Sequence, residues 1–304
     1  MKLTYLRFLA LIVLLLIILT GCSQSSAENT EPPPGSGKRA IIGYVNWDES
    51  VAVSALTKVL LEDELGYKDV ELRASKPERV FGEVADGELD AFPGVWMPRH
   101  ESRVEEVEDG AALFASFLIG NTRSSLAVPA YMDIRKLEGL KSVEAGTVLG
   151  QSPEASALTD DVPKDVLRRY GLQNDLDYPS TRAMIEKMVG LMQDEKPFVF
   201  VAYSPHWMNL RYDFNYLEDP NGELDALTQP STLHILVDTD LAEREPVAQA
   251  LLDVLRLSDY QLSSLELKIH QAQDPVEGAR TWVEDNEDLT ESWIGEVEER
   301  VGQR

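Results

Sequence analysis

The chain has 304 residues, enough for two ordinary domains or one large one with a real core. Its 28 Lys and Arg against 53 Asp and Glu give a formal charge of −25 with no basic run, which argues against nucleic acid as a partner. A hydrophobic content of 43% argues against wholesale disorder, and the single cysteine excludes an internal disulfide.

The chain opens with Lys2 and Arg7, followed by an almost wholly apolar stretch from Phe8 to Leu19. That stretch is too short for a comfortable membrane span and leads into small and polar residues, the layout of a secretory signal. Leu19-Thr20-Gly21-Cys22 resembles the bacterial lipobox, in which the cysteine receives a lipid and becomes the new N-terminus. On this reading residues 1–21 are a signal peptide and Cys22 is the lipidation site. Residues 22–38, rich in Ser, Pro and Gly, are then a lipidated flexible tether. Lys2 and Arg7 are the only charges lost with the signal, so the formal −25 becomes −27. An uncleaved anchor helix with an incidental cysteine is the alternative; both place the remainder outside the cytoplasm, held at a membrane.

From Ala40 to Val45 the pattern is that of a buried strand. Asp48 or Ser50 can cap a helix over about 50–65, stopped by Gly66. A short strand at 70–72, a helix over 77–85 and a strand over 89–95 ending at Trp96 follow. Such alternation predicts a mostly parallel sheet. It continues with strands at 125–128 and 147–150, a helix ending at Tyr170 before Gly171, and a helix from Ser180 or Thr181 to about Gln193. The clearest buried strand is 197–202, running into Tyr203, and another lies at 233–237. Residues 245–256, 258–271, 275–285 and 289–302 read as helices.

Ligands in open α/β sheets sit at the carboxyl ends of strands. Trp47, Trp96 and Tyr203 each fall where a strand hands over to a loop, and three such aromatics point to a binding cleft. Catalytic signatures are thin. There is no HExxH, no Cys/His cluster of metal-ligand spacing, no G-x-G-x-x-G and no G-x-S-x-G. Gly35-Ser36-Gly37-Lys38 lacks P-loop spacing, and Ser204 with His206 do not by themselves make a triad. The acidic residues are spread over helix faces, where solvation is their default role. A non-enzymatic binding protein with no metal and no cofactor is therefore expected.

Five segments resemble the substrate-binding lipoproteins of glycine betaine/proline betaine ABC importers. They begin at Ile42-Gly43-Tyr44-Val45-Asn46-Trp47-Asp48-Glu49 and Gly94-Val95-Trp96-Met97-Pro98. The others are Leu126 to Met132, Tyr203-Ser204-Pro205-His206-Trp207-Met208 and Tyr216 to Pro220. The resemblance implies a two-lobed α/β fold of the second periplasmic-binding-protein type with the ligand cleft between lobes. One lobe would hold residues 39–124 plus 232–304 and the other 125–231, hinged near 124 and 232. It also implies an ABC permease with its ATPase as partner and a betaine-like ligand.

Carried over residue by residue, Trp47, Trp96 and Tyr203 form an aromatic cage for the trimethylammonium group. Aromatic faces offer such a cation both negative quadrupole charge and apolar contact. The ligand carboxylate would fall to His100 and to backbone N–H groups of Ser156 and Ala157 at a helix start, where N–H groups are free. Three departures from the family pattern stand out. Tyr203 replaces a tryptophan, the carboxylate loop reads Pro153-Glu154-Ala155-Ser156-Ala157 rather than glycine-rich, and the Trp96 to His100 spacing is one residue short, with Arg99 as the alternative to His100. These departures keep open a receptor for choline or another cation lacking the carboxylate.

Overall fold

The computed structural model describes residues 33–142, 147–151, 158, 161–178, 180–272 and 274–303. Two five-stranded sheets organise it. The first holds β1 (Arg39–Tyr44), β2 (Asp69–Ala74), β3 (Ala91–Met97), β4 (Ala111–Leu113) and β10 (Thr232–Asp238) in the order β2-β1-β3-β10-β4. The second holds β5 (Arg123–Pro129), β6 (Thr147–Gln151), β7 (Gln173–Tyr178), β8 (Val199–Ser204) and β9 (Phe214–Tyr216) in the order β7-β6-β8-β5-β9.

The two sheets follow one plan. In each, three strands run parallel, and then one antiparallel strand joins the sheet: β10 against β3 in the first, β5 against β8 in the second. These antiparallel strands stand at the two passages of the chain between sheets. The passages are tied together: Thr122 N–H donates to the Ser231 carbonyl at 2.7 Å, and Ser231 N–H donates to Thr122 Oγ1 at 3.0 Å.

Local chemistry explains how the first sheet seats its helix. β3 is buried along nearly its whole length, as a central strand must be. Helix α1 (Asp48–Val59) lies against β1 and β3 through small residues. A Cβ on Gly94 would meet the Phe92 ring at 2.4 Å and Ser50 Oγ at 3.1 Å, so glycine permits the approach. Ser54 Oγ donates to the Gly43 carbonyl at 3.3 Å, and Val45 N–H donates to Ser50 Oγ at 3.3 Å. After α1 a π-helical turn covers Leu60–Glu64, and Gly66, at φ +76°, turns the chain as expected for a helix stop.

Neither expected cap of α1 is made. Trp47 occupies the N-cap position in extended conformation without a side-chain cap bond. The Asp48 carboxylate instead meets His206, and Ser50 accepts from Val45. Ordered contacts also begin before Arg39. Gly35 N–H donates to the Leu65 carbonyl at 2.9 Å and Lys38 Nζ to the Arg244 carbonyl at 3.1 Å, so residues 35–38, expected in the tether, lie on the body.

The remaining helices are α2 (Val80–Ala85), α3 (Glu101–Glu105), α4 (Lys164–Arg169), α5 (Thr181–Gln193), α6 (Met208–Arg211) and α7 (Asp225–Thr228), then α8 (Leu241–Arg244), α9 (Pro246–Val254), α10 (Asp259–Ala272), α11 (Pro275–Asp285) and α12 (Glu287–Gly302). Ser180 caps α5, its Oγ accepting the Ala183 N–H at 3.2 Å. Asp274 caps α11 by accepting two N–H groups at 3.0 Å. Helices α10 and α11 pack on α1, and α10 also packs on α6 beside the second sheet. The Phe198–Phe200–Phe214 ring cluster anchors that sheet's own core. Among the described residues no helix is long and apolar enough to cross a membrane.

Candidate functional site

The two sheets present matching turns to each other. Trp96 sits one residue before the end of β3, opposite Leu233 of β10; Tyr203 sits one residue before the end of β8, opposite Ser124 of β5. Each strand is followed by a cis X-Pro bond, Met97–Pro98 and Ser204–Pro205. Each turn carries a histidine whose Nδ1 accepts a backbone N–H. His100 takes that of Trp96 and His206 that of Met208, both at 3.1 Å. Both ring protons therefore belong on Nε2.

Trp96 and Tyr203 meet edge to face, with centroids 6.1 Å apart. Trp47, at the start of α1, stacks on His100 at 5.5 Å and 23°. His100 in turn meets Phe81 edge-on and holds the Trp96 backbone. The three expected cage residues are thus brought into one cluster, each 3–4% exposed. Burial, with the Arg103 and Arg99 guanidiniums adding to it, pushes His100 down to about 4, so its ring is neutral at neutral pH. Trp47 Nε1 is buried without a hydrogen-bond partner among the described residues. Ser156 and Ala157, expected at the carboxylate, and Cys22 lie outside the described residues.

Two buried acids stand beside this cluster, and the expectation of solvated carboxylates missed both. Glu49, on the first turn of α1 and 2% exposed, accepts the Trp96 indole N–H at 2.7 Å. Desolvation pushes it up to about 7; the Trp96 bond opposes the shift and Asp48 adds to it. Glu266 on α10, also 2% exposed, accepts the Trp207 N–H at 2.9 Å, and desolvation holds it well above the ordinary carboxylate range. Nothing in the local sequence signalled either burial.

Other groups are committed elsewhere. Arg99, the alternative to His100, pairs with Asp161 and donates to the carbonyls of Ala226, Leu227 and Gln229 at 3.1–3.2 Å. Its guanidinium therefore links the end of β3 to segments flanking the second sheet. His206, fully buried, meets Asp48 at 3.0 Å, and Trp207 stacks on His270 at 3.8 Å. Ser204 donates to Asp259 at 2.5 Å. Ser204 and His206 are thus held by different carboxylates, an arrangement without nucleophile–base geometry. Among the described residues no group of His, Cys, Asp and Glu could hold a metal ion.

Two α/β sheets of one plan, joined by two bonded passages and facing each other through aromatic strand ends, define a periplasmic-binding-protein fold of the second type with its ligand cleft between two lobes. Residues 38–285 match the family model for the substrate-binding domain of the ABC-type glycine betaine transport system, and the chain belongs to that family. It is 26% identical to lactococcal OpuAC in its closed-liganded conformation with glycine betaine, over 84% of this chain and 99% of that one, with a TM-score of 0.70. The glycine betaine/L-proline-binding protein of Borrelia burgdorferi shares the fold at 21% identity, with 86% of this chain and 100% of that one covered and a TM-score of 0.68. A glycine betaine/carnitine transport binding protein of Listeria monocytogenes is 29% identical over 142 residues, 46% of each chain, so the match spans about half of that curated relative.

Proposed function

We propose that this protein is the extracytoplasmic receptor of an ABC importer and binds glycine betaine or a related quaternary-ammonium compatible solute. The observation that carries the reading is the approach of Trp96 from one sheet to Tyr203 from the other, with Trp47 in the same cluster. A trimethylammonium group has no hydrogen to donate, so it gains from aromatic faces rather than from hydrogen bonds. Each desolvated face contributes about 0.5–2 kcal/mol. Faces drawn from two lobes make the ligand favour the closed form, because only that form offers all of them. The lobes in this reading are residues 39–124 plus 232–304 and 125–231, with the bonded Thr122 and Ser231 passages as hinge.

The carboxylate end would be met by neutral His100, which keeps an Nε2 proton to donate, and by the backbone N–H groups of Ser156 and Ala157. The unpartnered Trp47 indole N–H is a further donor in the same cluster, and a buried donor gains from any acceptor a ligand brings. The loaded receptor would pass its solute to a permease driven by an ATPase. Cys22, lipidated after removal of residues 1–21, would anchor it to the membrane surface. This is binding and delivery, without turnover.

Calorimetry with glycine betaine, proline betaine, carnitine and choline tests the reading. At least one of the betaines binds, and Trp47→Ala weakens it tenfold or more. A folded protein that binds none of the four sinks the proposal. A second reading, choline or another cation without a carboxylate, draws on the acid at Glu49 beside the cage; choline binding more tightly than any betaine would establish it.

A further inference from the structure

The site holds a carboxyl that aromatic recognition alone does not call for. Glu49 is buried, lies two residues after Trp47, and bonds the indole N–H of Trp96 at 2.7 Å. It bonds one expected cage aromatic directly and stands on the helix turn that begins at another. An acceptor on an indole N–H pushes electron density into the ring, and an anionic acceptor does so more than a neutral one. The same negative charge, in a site with little water, acts directly on any cation held against the ring.

We propose that Glu49 is a specificity-determining residue: its carboxyl, bonded to the Trp96 indole, sets how strongly the cage favours a cation over a zwitterion. The proposal rests on the quaternary-ammonium reading of the site. A cation such as choline takes the full attraction of an ionised Glu49. A betaine takes less, because its own carboxylate offsets the attraction at the other end.

The consequence is a pH-dependent choice. Glu49 is pushed up to about 7, so it is mostly neutral at pH 6 and mostly ionised at pH 8. From its own helix Asp48 faces it, itself paired with His206; from α10, Glu266 faces it; from β3, the Trp96 indole. Both neighbouring acids favour the neutral form, whereas a bound cation favours the ionised one. Choline affinity therefore rises with pH across this window while betaine affinity changes little.

The experiment is calorimetry of choline and glycine betaine at pH 6 and pH 8, neither ligand titrating in between. In the wild-type protein the ratio of choline to betaine affinity rises about threefold or more. In Glu49→Gln, which keeps an oxygen for the indole N–H, the ratio is flat and lies at the low-pH value. In Glu266→Gln the rise persists. A wild-type ratio that ignores pH overturns the proposal, as does a rise that survives Glu49→Gln or vanishes in Glu266→Gln. Binding of neither ligand by folded wild-type protein overturns this proposal, and the quaternary-ammonium reading with it when proline betaine and carnitine also fail to bind; binding of both with a flat ratio overturns this proposal alone.

Discussion

Glu49 also carries a stability cost, with a definite sign. Its folded-state value is pushed from 4.5 to about 7, so folding favours the neutral carboxyl. The stabilisation this gives is full below the unfolded value and is lost as pH rises to about 7. A shift of that size corresponds to a penalty of about 3 kcal/mol at pH 8, as an upper figure. Glu49→Gln in the ligand-free protein should therefore melt several degrees higher than wild type at pH 8 and no higher at pH 5. Equal melting temperatures at pH 8 would mean that Glu49 is better solvated or better paired than its surroundings indicate. His100 runs the other way: held down to about 4, it stabilises the fold above its ordinary 6.5 and loses that contribution as pH falls toward 4. Residues of this kind show where sequence reading stops. The clustering of Trp47, Trp96 and Tyr203 was legible because aromatic residues at strand ends have a pattern. The burial of Glu49 and Glu266 was not, because a carboxylate reads as a solvated residue until distant elements close over it.

The elements that bridge the sheets decide how the site closes. Arg99 follows β3, with its side chain 8% exposed, yet among the described residues its bonded partners lie between Asp161 and Gln229. Hydrogen bonds to a charged group contribute about 1.5–3 kcal/mol each. If these bonds form only when the lobes meet, their loss comes out of the closing energy and thus out of ligand affinity. Arg99→Ala should weaken betaine binding about tenfold or more by calorimetry, with unchanged far-ultraviolet circular dichroism; unchanged affinity would show that Arg99 holds a static joint. Central strands were legible in sequence because burial on both faces produces apolar runs, as in β1, β3 and β8. Three edge strands were not. β4 and β9 are three residues long, and β7 reads Gln-Asn-Asp-Leu-Asp-Tyr, a polar run made a strand by its neighbour β6. Helix stops at Gly66 and Gly171 were legible because both sit at positive φ. The start of α1 was not legible, since Asp48 meets the distant His206 instead of capping its own helix.

At the scale of the whole molecule, the charge of −25 and the ligand's charge act on different terms. Many ion pairs among the described residues are exposed on at least one side, such as those of Arg169, Arg280 and Arg300, and contribute little individually. The excess of acid therefore leaves a net self-repulsion that salt relieves, because the screening length falls from about 10 Å at 0.1 M to about 3 Å at 1 M. Melting temperature should rise between those ionic strengths, and salt-independent melting would show that the acidic groups are too dispersed to repel one another. Ligand binding obeys a different rule. Glycine betaine has no net charge, so a long-range negative field neither draws it in nor loses hold of it when screened. If aromatic contact inside the closed cleft sets its affinity, as proposed, that affinity should stay within about twofold over the same range. Choline carries a net positive charge and should lose affinity as salt rises, chiefly through a slower association rate measured by stopped-flow tryptophan fluorescence. Such a divergence makes salt a selector: the protein gains stability and keeps its zwitterion under the ionic conditions that turn a competing cation away. A betaine affinity that fell in parallel with choline would mean that the field of the whole chain, and not the cage, dominates capture.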